Sequence, residues 1–426
     1  MKDNDKHFTV FEHQSLWQHK GEQVLKTGQL KALQLFHSEK QFAEKGNVAF
    51  YDLVYNGVKF KEYVGVIQVG DLTIEVLPKA DKYSKEEEKK EKETWQKILI
   101  GMLRAVGAFN IHAPSASALS VKSNFVLDLY FELFIKEIES LIHQGLIKKY
   151  RKQESNSLAL KGSLKFAKHI QKNLVHQERF YVKHTIYDKT HQLHQILYKT
   201  LLLLKRINTN IQLNSRIGSL LLDFPEMKNI TATAATFEKI VFNRKTAVYK
   251  NALEISKLLL LNYHPDLSNG NNNVLALMFD MNLLWEEFVC VSLRKHLKPE
   301  MKLESQAKKV FWQPQNGRES TMKPDILIET ENGNIVLDTK WKNVGKGNPK
   351  PDDLRQLYVY HEYFNAKKVA LVYPGNQGIT KGKYYQKNKN EPDDKECAII
   401  QIETYRVIAD WQKIIAKDIF DWVDVY

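Results

Sequence analysis

Pro324-Asp325-Ile326-Leu327-Ile328-Glu329-Thr330-Glu331-Asn332-Gly333-Asn334-Ile335-Val336-Leu337-Asp338-Thr339-Lys340-Trp341-Lys342 reads as two strands around a tight turn. Asn332-Gly333 is a dipeptide that favours a two-residue hairpin turn, because both central positions need positive φ. With that turn, Asp325 is expected opposite Lys340 and Leu327 opposite Asp338. Strand side chains alternate between faces, so Asp325, Asp338 and Lys340 share one face, with the carboxylates as diagonal neighbours. Asp338 also closes the apolar run Ile335-Val336-Leu337 of what reads as an interior strand. A carboxylate in such a place needs a cation, a hydrogen bond or a function.

Two converging carboxylates are hard oxygen ligands, which Mg²⁺ takes together with waters and a phosphate oxygen. A neighbouring ammonium can orient or deprotonate an attacking water and stabilise developing negative charge. Phosphodiester hydrolysis uses all three, so Asp325 and Asp338 are expected metal ligands and Lys340 a catalytic partner. A plain Asp338–Lys340 salt bridge is the other reading of the same residues. On the preceding helix, Leu284-Trp285-Glu286-Glu287-Phe288 sets acids beside an apolar face. Glu286 is either a further metal or water ligand or an exposed helical acid. On the following helix, Asp353, Gln356 and Tyr360 share a face, where amide and phenol reach the DNA backbone or the catalytic lysine, or simply meet solvent.

Around this hairpin the pattern predicts an α+β multidomain chain. Residues 1–85 read as a β-rich region, with runs such as Tyr63-Val64-Gly65-Val66-Ile67-Gln68-Val69 and Leu72-Thr73-Ile74-Glu75-Val76. Lys82–Glu93 is a charged boundary. Residues 86–267 read as mainly helical, with Leu127, Tyr130, Phe131, Leu133, Phe134, Ile138 and Leu141 at three- and four-residue steps. Ser268–Asn273 breaks both helix and strand and marks a second boundary. Residues 274–426 then predict a helix over Leu275–Leu293, the hairpin, a helix over Asp352–Phe364 and a strand over Val369–Tyr373. That is an α/β order.

Of the 426 residues, 63 are Lys or Arg and 50 Asp or Glu, a formal charge of +13 that favours a polyanionic partner or serves solubility alone. The two cysteines, Cys290 and Cys397, form no C-x-x-C, which argues against a disulfide framework and for a reducing cytoplasm. No apolar run is long enough to span a bilayer. Lys148-Lys149-Tyr150-Arg151-Lys152, continued by Lys161, Lys165, Lys168 and Lys172, lines a DNA path, meets an acidic partner or is a solvated face. Lys381-Gly382-Lys383-Tyr384-Tyr385-Gln386-Lys387-Asn388-Lys389 reads as a loop beside the site, with Lys381 and Lys383 as phosphate contacts. His191 and His194 have no further ligand nearby and read as ordinary helix histidines.

The ordered set Phe279-Asp280-Met281-Asn282, Leu284-Trp285-Glu286, Phe288-Val289, Pro324-Asp325, Leu337-Asp338-Thr339-Lys340-Trp341-Lys342 and Asp353-x-x-Gln356-x-x-x-Tyr360 resembles the nuclease domain of McrC-type restriction subunits. It also resembles the wider PD-(D/E)xK superfamily, including RecB-like nucleases. Val64-Gly65, Ile67, Gly70, Leu72, Ile74 and Pro78-Lys79 resemble the McrC family's β-rich region, and Gly145-Leu146 to Tyr150 with Leu160-Lys161-Gly162 its helical middle. Ser163 and His194 depart from the family pattern, where a basic residue and an asparagine are usual.

The resemblance implies a restriction-endonuclease-like C-terminal domain and a Mg²⁺-dependent cut in double-stranded, modified DNA. Its catalytic set would be Asp325, Asp338, Lys340, Glu286 and Gln356, with Lys342 and Tyr360 on the DNA. It also implies a partner, a McrB-like AAA+ GTPase hexamer that binds the GTP, recognises the modified base, admits the N-terminal part of this chain and is stimulated by it. No G-x-x-x-x-G-K-[ST] phosphate loop occurs in this sequence, so the motor belongs to another chain. A stand-alone RecB-like nuclease and a non-catalytic scaffold on an AAA+ motor are the alternatives.

Overall fold

The computed structural model describes residues 7–21, 23–43, 49–70, 72–79, 88–106, 126–264, 273–342, 344, 349–385 and 391–424. Much of the expected boundaries at 82–93 and 268–273 lies outside them, as do 386–389 of the second basic stretch. Two compact units result, Met1–Phe109 with His264–Tyr426, and Asn110–Tyr263.

In the first unit, strands β1 (His7–Phe11), β2 (Tyr63–Val69), β3 (Leu72–Leu77) and β4 (Val274–Asp280) lie side by side in the order β1-β3-β2-β4. Their β-branched and aromatic residues close a core with Leu30, Leu33 and Phe36 of the helix Thr27–Ala43. β4 corrects the expected helix Leu275–Leu293. Val274-Leu275-Ala276-Leu277 is buried and pairs antiparallel with β2, so the helix begins only at Met281. A short apolar run has no period that separates a doubly buried strand from a buried helix, and here the open edge of β2 decides.

Helix α1 (Glu88–Val106) precedes β4 in the chain, and α2 (Met281–Lys295) continues from β4 without a linker. Asp280 caps α2, its Oδ1 accepting the Asn282 and Leu283 N–H groups at 2.8 and 3.2 Å. A second, six-stranded sheet contains β5 (Lys302–Ser305), β6 (Ile326–Thr330), β7 (Gly333–Thr339), β8 (Ala366–Pro374), β9 (Gly378–Tyr385) and β10 (Pro392–Ile402), ordered β5-β6-β7-β8-β10-β9. β7, β8 and β10 run parallel, so both of their faces must be covered.

Helix α3 (Pro351–Phe364) covers one face, burying Leu357, Tyr360 and Phe364 against Leu327, Val336, Val369 and Leu371. Pro351 starts it, Asp352 and Asp353 occupy its first turn, and Asn365 ends it at φ 48°. On the other face α2 meets α4 (Ile408–Asp424) through Trp285, Phe288 and Trp411, the rings 4.9 to 5.5 Å apart. α1 packs on α2 and α4, which is why it joins this unit rather than a helical middle segment.

In the second unit the helices Val126–Gln144, Gln192–Ile207, Ile211–Asp223 and Lys250–Leu261 pack together, as the periodicity predicts. Lys149–Ser157 and Phe180–Asp188 are nine-residue strands in an antiparallel ribbon, a departure from the mainly helical expectation. The first of them, Lys-Tyr-Arg-Lys-Gln-Glu-Ser-Asn-Ser, has no apolar face to betray it, and it carries most of the basic Lys148–Lys152 segment. His194 lies inside the helix Gln192–Ile207 and bonds to Lys189 O at 2.7 Å and Tyr249 Oη at 3.0 Å. Burial, then the neighbouring His191, pushes its pKa down to about 4, so it is neutral.

Candidate active site

The hairpin closes one step earlier than Asn332-Gly333 suggests. Thr330 pairs with Gly333, leaving Glu331-Asn332 as the loop, and Gly333 takes φ +122°. Ile326 then pairs with Leu337, and one step further Asp325 comes opposite Asp338 rather than Lys340. This corrects the expected register. The slip is by two residues, so every side chain keeps its face, and the carboxylates move from diagonal to directly facing.

Asp325 sits at the mouth of the pair, where its Oδ2 accepts the Thr339 N–H at 2.6 Å and the Thr339 hydroxyl at 2.9 Å. Thr339, a mere spacer in the sequence motif, thus fixes one carboxylate relative to the other strand. Asp338 is only 2% exposed. Its Oδ2 lies 2.8 Å from Lys340 Nζ, and its Oδ1 accepts from Gln356 Nε2 at 3.4 Å. Burial, then the charge of Asp325, raises the Asp338 pKa to about 6 despite Lys340. Burial works against the ammonium of Lys340, but the carboxylates of Asp338, Asp325 and Asp353 outweigh it and raise that pKa.

Glu286 of α2 is buried, and its Oε1 accepts from Gln306 Nε2 at 2.8 Å. Burial, then Asp325, raises its pKa to about 7. Glu286 is therefore no exposed helical acid, and it is near enough to Asp325 for the two charges to act on each other. Gln306, at φ 56° just after β5, carries no sequence signal for this role; its own N–H donates to Asp325 O at 2.9 Å. Gln356 also donates to Tyr360 Oη at 2.7 Å, and that hydroxyl points to Lys323 O at 3.4 Å. Gln356 and Tyr360 are thus joined to the site, with Tyr360 buried beneath it.

Three residues expected on the DNA, Lys342, Lys381 and Lys383, have the following places. The Lys342 ammonium is held by Asp353 at 2.7 Å and lies 5.7 Å from the Tyr373 ring centroid. Lys381 and Lys383 lie on the edge strand β9, not in a loop. Gly382 pairs with Cys397, which faces α3 together with Val336, so the two lysines project from the face opposite Asp338.

Among the described residues no group of three or more His, Cys, Asp or Glu is assembled to hold a metal. The facing pair Asp325 and Asp338 fits a hard divalent cation that keeps waters and takes a phosphate oxygen. An almost fully buried carboxylate facing a second one is an arrangement that such a cation relieves. Cys290 and Cys397 are free and buried, and among the described residues no helix is long and apolar enough to cross a membrane.

The mixed fold thus brings two acids and a lysine together at the ends of two interior, paired strands. A family model described as "McrBC 5-methylcytosine restriction system component" matches residues 58–374. The chain belongs to this McrBC family. No curated protein matches it. Among solved structures it is similar to a chain of the refined half-complex from a tetradecameric assembly of Thermococcus gammatolerans McrB AAA+ hexamers with bound McrC. That chain is 19% identical with a TM-score of 0.73, over 98% of this chain and 100% of that one. It is also similar to a chain of the Thermococcus gammatolerans McrBC complex, 18% identical with a TM-score of 0.51, over 69% of this chain and 88% of that one.

Proposed function

We propose that this chain is the nuclease subunit of its restriction system and hydrolyses phosphodiester bonds in double-stranded DNA with Mg²⁺. The observation that carries this reading is the facing pair Asp325 and Asp338, with the Lys340 ammonium 2.8 Å from the buried carboxylate. Asp325 and Asp338 would hold the cation, which when bound supplies Lewis acidity to the phosphate and to an attacking water. Lys340 places positive charge where the phosphorane charge develops and orients the water. Gln356 fixes the Asp338 oxygen, Thr339 fixes Asp325, and Glu286 stands ready to accept a proton at neutral pH because its pKa is about 7.

The partner in this proposal is a McrB-like AAA+ GTPase hexamer, which binds the GTP, recognises the modified DNA and is stimulated by this chain. The similar structures, named as McrB hexamers with bound McrC, support it, as does the lack of a phosphate loop here. The reaction belongs in the cytoplasm, where incoming DNA is met.

Purified chain, partner, GTP and Mg²⁺ are to be incubated with methylated and unmethylated plasmid, alongside Asp338→Ala. Cutting of methylated plasmid by the native chain and none by the variant is expected. Equal cutting by both proteins would remove the site assignment. Full activity without partner or GTP would favour a stand-alone nuclease, and no cutting under any condition a scaffold.

A further inference from the structure

Trp341 comes directly after Lys340 and is held from three directions. Its backbone N–H donates to Asn282 Oδ1 of α2 at 3.2 Å. Its ring meets Trp285 at 5.5 Å and, edge-on, Trp95 of α1 at 6.2 Å. Its indole Nε1–H donates to Glu12 Oε1 at 2.8 Å, across 329 positions of sequence. Glu12 comes immediately after β1. Its own N–H bonds Leu77 O at 2.9 Å, and the same Oε1 accepts the Lys79 N–H at 2.9 Å.

Glu12 is 7% exposed, and its Oε2 has no hydrogen bond among the described residues. Burial raises its pKa to about 7, although the Lys79 and Trp341 hydrogen bonds lower it. The exposed His13 Nε2 lies 4.0 Å from that oxygen, beyond hydrogen-bond distance, so the buried acid is a costly way to fill space. Glu12 serves the Lys79 N–H beyond the end of β3, but that backbone donor alone does not require the Trp341 indole on the same oxygen. What the acid does achieve is to tie the indole beside Lys340 to the ends of β1 and β3.

We propose that Glu12 is a positioning residue for Lys340: by gripping the Trp341 indole it fixes the segment 338–342 and so the aim of the ammonium at the carboxylate pair. This rests on the nuclease function proposed for the chain. The backbone of Lys340 is also anchored by its N–H to Val372 O at 3.0 Å and by its carbonyl, which accepts the Lys342 N–H at 3.1 Å, while the Glu12 bond is the one that fixes the Trp341 side chain by its polar end. Through Glu12 the first sheet reports on the second at the residue next to the lysine.

The test uses the full chain with its partner and GTP. Glu12→Ala is expected to lower kcat by about ten- to a hundredfold with the KM for DNA little changed, the scale of an ångström-sized misplacement of a reacting group. Glu12→Gln keeps an Oε1 that accepts both N–H groups and is expected to stay within about threefold of the native chain. Trp341→Phe keeps a ring but removes the donor, and should match Glu12→Ala. The double variant Glu12→Ala/Trp341→Phe should lose no more than either single one, because both break the same contact.

Additive losses, a native kcat in Glu12→Ala, or a loss in Glu12→Gln equal to that in Glu12→Ala would each overturn the proposal. If Glu12→Ala does not fold, Trp341→Phe against Glu12→Gln decides alone, with loss expected only in the former. Asp338→Ala and Lys340→Ala run in parallel. Inactive Lys340→Ala with native-like Trp341→Phe overturns only the role of Glu12, whereas active Asp338→Ala and Lys340→Ala overturn the nuclease function and the role of Glu12 with it.

Discussion

Asp338 holds a carboxyl in the protein interior against its own solvation, opposite a second carboxyl. In Asp338→Asn the amide keeps the shape and discards the charge. Folded Asp338 holds its proton up to about 6, against an ordinary value of 3.8. Its contribution to stability is therefore whole below the lower value and is lost as pH rises through the higher one. At pH above 7 without divalent ions, Asp338→Asn is expected to melt on the order of a few degrees above the native chain. Cutting should fall by more than about a hundredfold. Mg²⁺ should raise the melting temperature of the native chain and leave the variant unchanged, since a ligand stabilises only the state that binds it. Scanning fluorimetry with and without Mg²⁺ checks both, and an equal Mg²⁺ response in the two proteins would count against Asp338 as a ligand. At this scale Asp325, Asp338 and Lys340 were legible because polar residues at two-residue spacing interrupt or close apolar strands. Gln306 and Glu12 were not, because what gives each its role is a residue far away in sequence.

Elements show where pattern suffices and where pairing overrides it. Asn-Gly marked a hairpin, but the turn settled one step earlier, with Gly333 at a pairing position whose positive φ suits glycine. Faces survived because the shift was even. β4 was hidden in an apolar run that merges with α2, and its identity depends on an edge offered by β2. Gly65 is what lets that edge approach: it has φ +135°, and an added Cβ would lie 2.1 Å from Leu277 O. Gly65→Ala is expected to cost roughly 3 kcal/mol or more, through both strain and lost pairing. By contrast Gly218, inside the helix Ile211–Asp223, has nothing within 4 Å of an added Cβ. Gly218→Ala should stabilise by roughly 0.5 to 1 kcal/mol. Urea unfolding of the two variants measures the contrast, and a mild Gly65→Ala would mean that β2 and β4 part without consequence.

For the whole molecule, composition suggested a polyanion through its charge of +13, while the path of the chain through its two units was not legible. Segments of one unit are separated by more than a hundred residues of the other, and no local pattern records that. If the charge serves DNA, the affinity of catalytically silent Asp338→Asn for duplex should fall on the order of a hundredfold for a fourfold rise in salt, given about four neutralised phosphates. Fluorescence anisotropy over a salt series reads the slope, and a flat one would return the charge to solubility. Because the chain leaves the first unit after Phe109 and rejoins it at His264, Asn110–Tyr263 is an insertion within a continuous body rather than a link between two. Asp325, Asp338, Lys340, Glu286 and Glu12 therefore all belong to that one body, and none of them is carried by the insert. A truncation at residue 274, however natural it looks in the sequence, would divide that body and part Trp341 from the acid that holds it.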